Sequence, residues 1–229
     1  MSWKQLYETQ TKNLEGKTCR LWREGIASLG ITPDKCPTAA ELTQALYPRT
    51  GFLCFDRDVP KKQSFISPYE WNIHAMKRSM PLSTFLRTPK ELWYCDEPDR
   101  WHDTYGHVPF FADSTYVSMW EALGKLYIDA YLRDPKLAEE VDKIIWFVTE
   151  IGLIEEDGEL KALGATLYSS SGDLAQAYKS DNTYIPFSLD AILSLKHYDR
   201  STLQTQFMTL RSLDEVHTAI EQFRKLYLY

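Results

Sequence analysis

Apolar residues recur at helical spacing along most of this chain, and the recurrences are bounded by residues that start and stop helices. A chain written this way must bury a set of amphipathic helices against one another. Residues 2–16 and 18–29 read as two such helices. The second is closed by Gly30, whose tolerance of positive φ suits the residue after a helix. Thr38 and Glu41 have capping-box spacing ahead of a helix reaching about Leu46. Further helices are predicted over 69–79 and 98–106, and from Asp113 or Ser114 to about Leu132, stopping before Pro135. The next starts near Pro135 and carries Leu137, Val141, Ile144, Ile145 and Val148. The last opens on Ser212 and Glu215, again at capping-box spacing, and buries Val216, Ala219, Ile220 and Phe223. Extended pieces are expected at 51–55, 161–168 and 204–209. There is no βαβ alternation of the kind that builds a doubly wound sheet, so the predicted class is mostly α with a minor β component. Without repeats, low-complexity stretches or a Gly/Ser linker, residues 1–229 read as a single domain. At 44% hydrophobic residues the chain can fill one sizeable core.

Charge narrows the choice of partner. The chain has 32 acidic residues against 26 lysines and arginines, a net charge of −6, with the basic residues scattered. A phosphate backbone or an anionic membrane needs a basic face, so neither nucleic acid nor membrane is expected as a partner. No run of about 18 apolar residues offers a transmembrane helix. The opening WKQLYETQ is polar and helical in rhythm, unlike a signal core, and a cytoplasmic location is expected. Cys19, Cys36, Cys54 and Cys95 form no CxxC pair and are expected to be reduced.

Only five histidines occur, and two of them, His102 and His107, lie in Trp-His-Asp-Thr-Tyr-Gly-His-Val-Pro. On a regular helix, residues five apart point about 140° away from each other. The rings converge only if the helix ends near Gly106 and the chain folds back. Glycine permits such a turn, and Pro109 stops the helix from continuing. Otherwise they are unrelated helix-end histidines. Glu150 sits in Ile144-Ile-Trp-Phe-Val-Thr-Glu-Ile-Gly-Leu, a segment apolar enough to be buried. A carboxylate there costs several kcal/mol unless a cation or strong donors compensate. Either a Lys or Arg from elsewhere answers it, or a metal does. Two histidines and one carboxylate are the donor set of non-haem Fe(II) oxygenases, which leaves coordination positions open.

Several motifs, in order, carry a resemblance: Glu97-Pro-Asp99; His102-Asp-x-x-Gly-His107-Val-Pro-x-Phe; Trp146-Phe-x-x-Glu150-x-Gly-Leu; and Gly164-Ala followed by Ser169-Ser. They resemble the tetrahydropterin-dependent aromatic amino acid hydroxylases, with the likeness closest to the short bacterial phenylalanine hydroxylases. The likeness covers nearly the whole chain, including WKQLYETQ, the stretch from Met80-Pro81 to Arg87-Thr-Pro, and the final helix. It implies the catalytic-domain fold of that family and a monooxygenation in which a reduced pterin such as tetrahydrobiopterin and Fe(II) jointly activate dioxygen. It implies that His102, His107 and Glu150 hold iron, and that Trp71 stacks on the pterin beside Ile66, with Asp103 facing it. It further implies that Arg87 pairs with the substrate carboxylate, where a guanidinium fork suits a bidentate partner. Trp146 would line the ring pocket, Ser169 would stand at its edge and Tyr198 over its mouth. Taken alone, Trp71 and Trp146 would serve equally as core aromatics and Arg87 as a solvated charge.

The chain also departs from the pattern. Cys95-Asp96 precedes Glu97-Pro98 where relatives carry other residues, Asp173 replaces a glutamate, and Arg200 falls where an aliphatic residue aligns. Arg200 has two readings, a solvated surface residue or a cation in the pocket. L-Phe giving L-Tyr is the leading expectation. L-Trp, a specialised aromatic of secondary metabolism, and a catalytically silent relative that still binds iron and pterin are the alternatives. A zinc hydrolase could use the same donors but usually adds a base placed by HExxH, which is missing from the sequence. No counterpart of the animal relatives' regulatory domain or oligomerisation helix is recognised, and a monomer or weak dimer is expected.

Overall fold

The structure is a computed structural model that describes residues 2–88, 91, 93–95, 97–195 and 199–229. Helix α1 (Trp3–Asn13) is capped by Ser2, which accepts from the Gln5 backbone while the Gln5 side chain reaches back. Helix α2 (Arg20–Leu29) ends on Gly30 at φ 61°, as expected. Thr38 and Glu41 form the predicted box for α3 (Ala39–Thr50), which runs a turn beyond Leu46 because Pro48 is accommodated near its end. Ser67 caps α4 (Pro68–Met76). Asp113 caps the 20-residue α5 (Ser114–Arg133), and Asp134 caps α6 (Pro135–Ile145), with Pro135 at its first position. Helix α5 is the centre of the packing and lies against α4, α6 and the last helix, α10 (Asp214–Tyr227). Its buried face, with Tyr116, Trp120, Leu123 and Tyr127, meets a core rich in fully buried aromatics such as Trp101, Tyr105, Phe110 and Phe111.

The mostly α class with minor β holds, and three local expectations change. The Ser212–Glu215 box does not form. The Glu215 carboxylate accepts instead from the Arg211 backbone (3.0 Å), and α10 opens without a side-chain cap. The stretch 161–168 is not one strand. Strand β4 (Glu159–Ala162) ends there, and α7 (Ala165–Ser169) begins after Gly164. Nearly every residue of this stretch is buried, so no alternation marks where strand gives way to helix. Finally, β1 (Leu53–Arg57) and β2 (Ser79–Ser83) pair in parallel across α4, a βαβ crossover where none was expected. It remains two-stranded, and Pro81 is tolerated because both strands are edges.

A second sheet has the order β4-β3-β6-β5, adding β3 (Leu153–Glu156), β5 (Thr183–Pro186) and β6 (Gln206–Leu210). Strands β3 and β4 form a hairpin turned by Asp157 and Gly158, both at positive φ. The described residues also form two short helices, α8 (Ser171–Ala177) and α9 (Leu189–Ser194). All four cysteines are free, with Cys19 and Cys54 buried in the core. Among the described residues, no helix is long and apolar enough to cross a membrane.

Candidate active site

His102 and His107 do converge, but by a different route from the one the sequence suggested. The helix that opens at Arg100 neither ends at Gly106 nor folds back. It widens into a π-helical turn over His102–His107, in which the Val108 N–H bonds to the Asp103 carbonyl, five residues back. Such a turn sets residues five apart over one another, so the two rings share a face. Gly106 is not at positive φ. Its role is close approach, since a Cβ there would meet the Ala165 carbonyl oxygen at 2.7 Å. The end of α6 widens in the same way over Trp146–Glu150, with Ile151 N–H bonded to the Trp146 carbonyl (3.2 Å). Helix α7 packs against both wide turns. At its start, a Cβ on Gly164 would lie 2.2 Å from the Glu150 backbone.

The turns bring three side chains together. His107 Nε2 lies 3.1 Å from both His102 Nε2 and Glu150 Oε1, and His102 Nε2 lies 3.6 Å from Glu150 Oε2. Ligands at about 2.1 Å on adjacent corners of an octahedron stand about 3 Å apart, so these separations fit one metal ion. Burial holds His102 down to about 4, in spite of the pull of Glu150. Burial also opposes charge on Glu150, yet His107 and His102 beside it bring its carboxyl down to about 2. At neutral pH the set therefore offers a neutral imidazole at His102 and an anionic carboxylate at Glu150, the forms that ligate. Ser169 Oγ donates to the Thr166 carbonyl (3.4 Å) and lies 2.8 Å from His102 Nδ1. With Ser169 accepting from Nδ1, the His102 Nε2 lone pair is left free to ligate beside Glu150. Thr166 Oγ1 donates to Glu150 Oε2 (2.9 Å).

A cavity of about 260 Å³ opens over these donors and is lined by every site residue expected from the sequence that lies within the described residues: Trp71, Ile66, Asp103, Arg87, Trp146 and Ser169. Tyr198 falls outside the described residues. The Trp71 ring lies 5.9 Å from His107 and edge-on to Trp120. Burial raises the Asp103 carboxyl to about 6, against the Ser83 N–H that it accepts at 2.6 Å. Arg87 is no surface charge. It is 3% exposed, its Nε and Nη2 fork onto Asp99, and its Nη1 donates to the Ser169 carbonyl (2.7 Å).

The sequence model of the biopterin-dependent aromatic amino acid hydroxylases matches residues 1–227. The chain belongs to that family. It is 29% identical to the phenylalanine-4-hydroxylase of Chromobacterium violaceum over 231 residues, covering 99% of this chain and 74% of that protein. It is also 28% identical to a tyrosine 3-monooxygenase of Caenorhabditis briggsae, covering 98% of this chain but only 42% of that longer protein. Among solved structures, the iron- and phenylalanine-bound C. violaceum phenylalanine hydroxylase superimposes with a TM-score of 0.85 at 27% identity, covering 99% of this chain and 80% of that one. The cobalt-bound form of the same hydroxylase superimposes at 0.86, with 28% identity over 99% of this chain and 79% of that one.

Within this family's site, three acids had no role expected from the sequence. Asp99 belongs to a motif of the resemblance, yet its use lies elsewhere: it is fully buried and anchors Arg87. Asp173 lines the cavity with one carboxylate oxygen unpartnered among the described residues, and burial raises its carboxyl to about 6. Asp142, one turn before Trp146, is the third. It accepts from Arg200, whose guanidinium lies 4.9 Å over the Trp146 ring. Arg200 is therefore part of the pocket wall, while its side chain remains 37% exposed to solvent. Its position against an acid and an indole was signalled only by its departure from an aliphatic alignment.

The close approach at Gly164 yields a stability expectation. Gly164→Ala forces a methyl group into the Glu150 backbone. Overpacking of this kind costs about 1–3 kcal/mol. Urea denaturation should show that loss together with weakened metal binding, and an unchanged midpoint would mean that α7 shifts freely.

Proposed function

We propose that this chain is a ring hydroxylase of an aromatic amino acid, most simply L-Phe to L-Tyr, using Fe(II), a tetrahydropterin such as tetrahydrobiopterin, and dioxygen. The observation that carries the reading is the convergence of two imidazoles and one carboxylate, from two wide helical turns, beneath a cavity that also presents Trp71 and Arg87. The donor chemistry suits iron, and the resemblance to an iron- and phenylalanine-bound phenylalanine hydroxylase supports both the metal and the substrate. In this reading residues 1–229 act as one catalytic domain, located in the cytoplasm as a monomer or weak dimer, without nucleic acid or membrane as partner.

His102, His107 and Glu150 would hold the metal, and when bound, the iron and the reduced pterin supply the activation of dioxygen. The protein's own part is placement. Ser169 fixes the His102 ring and its tautomer, and Thr166 fixes one oxygen of Glu150. Arg87, held rigid by Asp99, keeps N–H donors for the substrate carboxylate, and its neighbour Ser169 stands at the same edge. Trp146 borders the ring, and Tyr198 is assigned to the mouth. Trp71, Ile66 and Asp103 form the pterin wall. The apolar part of the lining, including Ile66, Pro68 and Ile145, excludes water from the reacting centre.

The test is incubation of the Fe(II)-loaded protein with reduced pterin, air and a panel of aromatic amino acids, read by mass spectrometry alongside pterin oxidation. Substrate-dependent pterin oxidation with one oxygen added to the ring is expected. A loaded protein that neither oxidises pterin nor forms a hydroxylated product would sink the reading. For the pterin wall, Trp71→Ala should weaken pterin binding by about 1–2 kcal/mol, the worth of a lost aromatic contact and its buried area. Substrate affinity should change much less. Equal losses for both ligands would make Trp71 a core residue.

A further inference from the structure

The wall of the cavity one turn before Trp146 is unexpectedly polar. Asp142 and Arg200 both line it. Arg200 Nη2 donates to the Asp142 carboxylate and approaches the Asp142 carbonyl (3.4 Å), while the guanidinium covers the Trp146 ring at 4.9 Å. Trp146 adds a buried indole N–H without a partner among the described residues. Glu150 follows Trp146 by one further turn, and Asp142, Arg200, Trp146 and Glu150 line the same cavity. An acid and a guanidinium partly withdrawn from water are costly to place in a cavity wall, and a bare hydrocarbon ring offers the carboxylate no hydrogen bond.

A hydroxyl group is the ligand feature that uses all three. Its hydrogen is donated to the Asp142 carboxylate, and its oxygen accepts from Arg200 or from the Trp146 indole. We propose that Asp142 and Arg200, backed by Trp146, form a hydroxyl-recognition site that sets ligand specificity. The site rests on the reading of the cavity as a pterin and amino acid pocket. Two ligands of that pocket can bring the hydroxyl: an aromatic amino acid already hydroxylated on its ring, or a tetrahydropterin with a hydroxylated side chain. The alternative is a brace, in which the ion pair only ties the segment around residue 200 to α6.

Calorimetric titration of the metal-loaded protein separates these readings. Two ligand pairs are compared in the parent and in Asp142→Asn/Arg200→Gln: L-Tyr against L-Phe, and tetrahydrobiopterin against 6-methyltetrahydropterin. In the parent, the hydroxylated member of one pair should bind about tenfold more tightly than its bare counterpart, and the variant should erase most of that ratio. The pair that shows the effect identifies the source of the hydroxyl. Ratios that are the same in parent and variant, or equal weakening of all four ligands, would overturn the site and leave a brace. If the double variant does not fold, Asp142→Asn alone is read by the same ratios. A parent that binds neither L-Phe nor 6-methyltetrahydropterin would overturn the functional reading, and this site with it. A parent that binds both, with unchanged ratios in the variant, overturns this site alone.

Discussion

His102→Ala, His107→Ala and Glu150→Ala are each expected to abolish hydroxylation, and the parent protein to take up about one Fe(II) per chain. The basis is the shared corner that the three donors form, with His107 Nε2 at 3.1 Å from both partners. Removing one donor leaves two, which cannot fix an ion against the open face. Metal removal should also lower the melting temperature. An ion that binds only the folded state at 100 times its dissociation constant adds about 2.7 kcal/mol. Without it, an ionised Glu150 is left among apolar neighbours with only imidazoles and the Thr166 hydroxyl for company. Retained activity in any one variant would exclude that residue as a ligand. A melting temperature indifferent to a chelator would contradict the coupling of site and fold.

Arg87→Ala should produce the second large effect, and it should appear in two measurements at once. The guanidinium forks onto Asp99, and both groups are almost wholly withdrawn from solvent. Removing one partner of such a pair strands the other and costs about 3–5 kcal/mol of stability. Asp99 keeps two backbone donors, Arg87 N–H (2.7 Å) and His102 N–H (3.0 Å), which places the expected loss near the lower end. The apparent Michaelis constant for the amino acid should rise by about 30- to 150-fold, the equivalent of a lost charge-assisted pair worth about 2–3 kcal/mol. Arg87→Lys keeps the charge without the fork, and should recover part of the stability but little of the affinity. Urea denaturation and steady-state kinetics decide it. A large loss of stability with an unchanged Michaelis constant would confine Arg87 to the core.

Much of this was legible because the site is written in residues whose chemistry is scarce. Two of only five histidines lie within one short motif, and an acid sits inside an apolar helix, which narrows the options before any geometry is known. Residues that start and stop helices marked α2, α3, α5 and α6 for the same reason: Gly30, Thr38, Asp113 and Pro135 have few other uses at those positions. What stayed hidden depends on contacts distant in sequence. Asp99 matters because Arg87 folds onto it, and Arg200 because it reaches across 58 residues to Asp142. The mode of convergence at His102 and His107 was hidden too, since periodicity reasoning assumes a regular helix and the turn is not one. The β3–β4 hairpin is a different case. Asp157-Gly158 carries a strong turn signal, but the two strands it joins are only four residues each, too short for alternation to mark them.

The wide turns also bear on how such a centre can arise. A π-helical turn differs from an α-helical one by a single residue taken into the same loop of backbone. One inserted codon in an ordinary helix is therefore the smallest genetic event that can make it, and one deleted codon the smallest that can erase it. The described residues include two, at His102–His107 and at Trp146–Glu150, and each brings donors to the same cavity. Length changes of one residue within these stretches are thus far more damaging than most substitutions. They rotate everything downstream about the helix axis, while a substitution alters only one side chain.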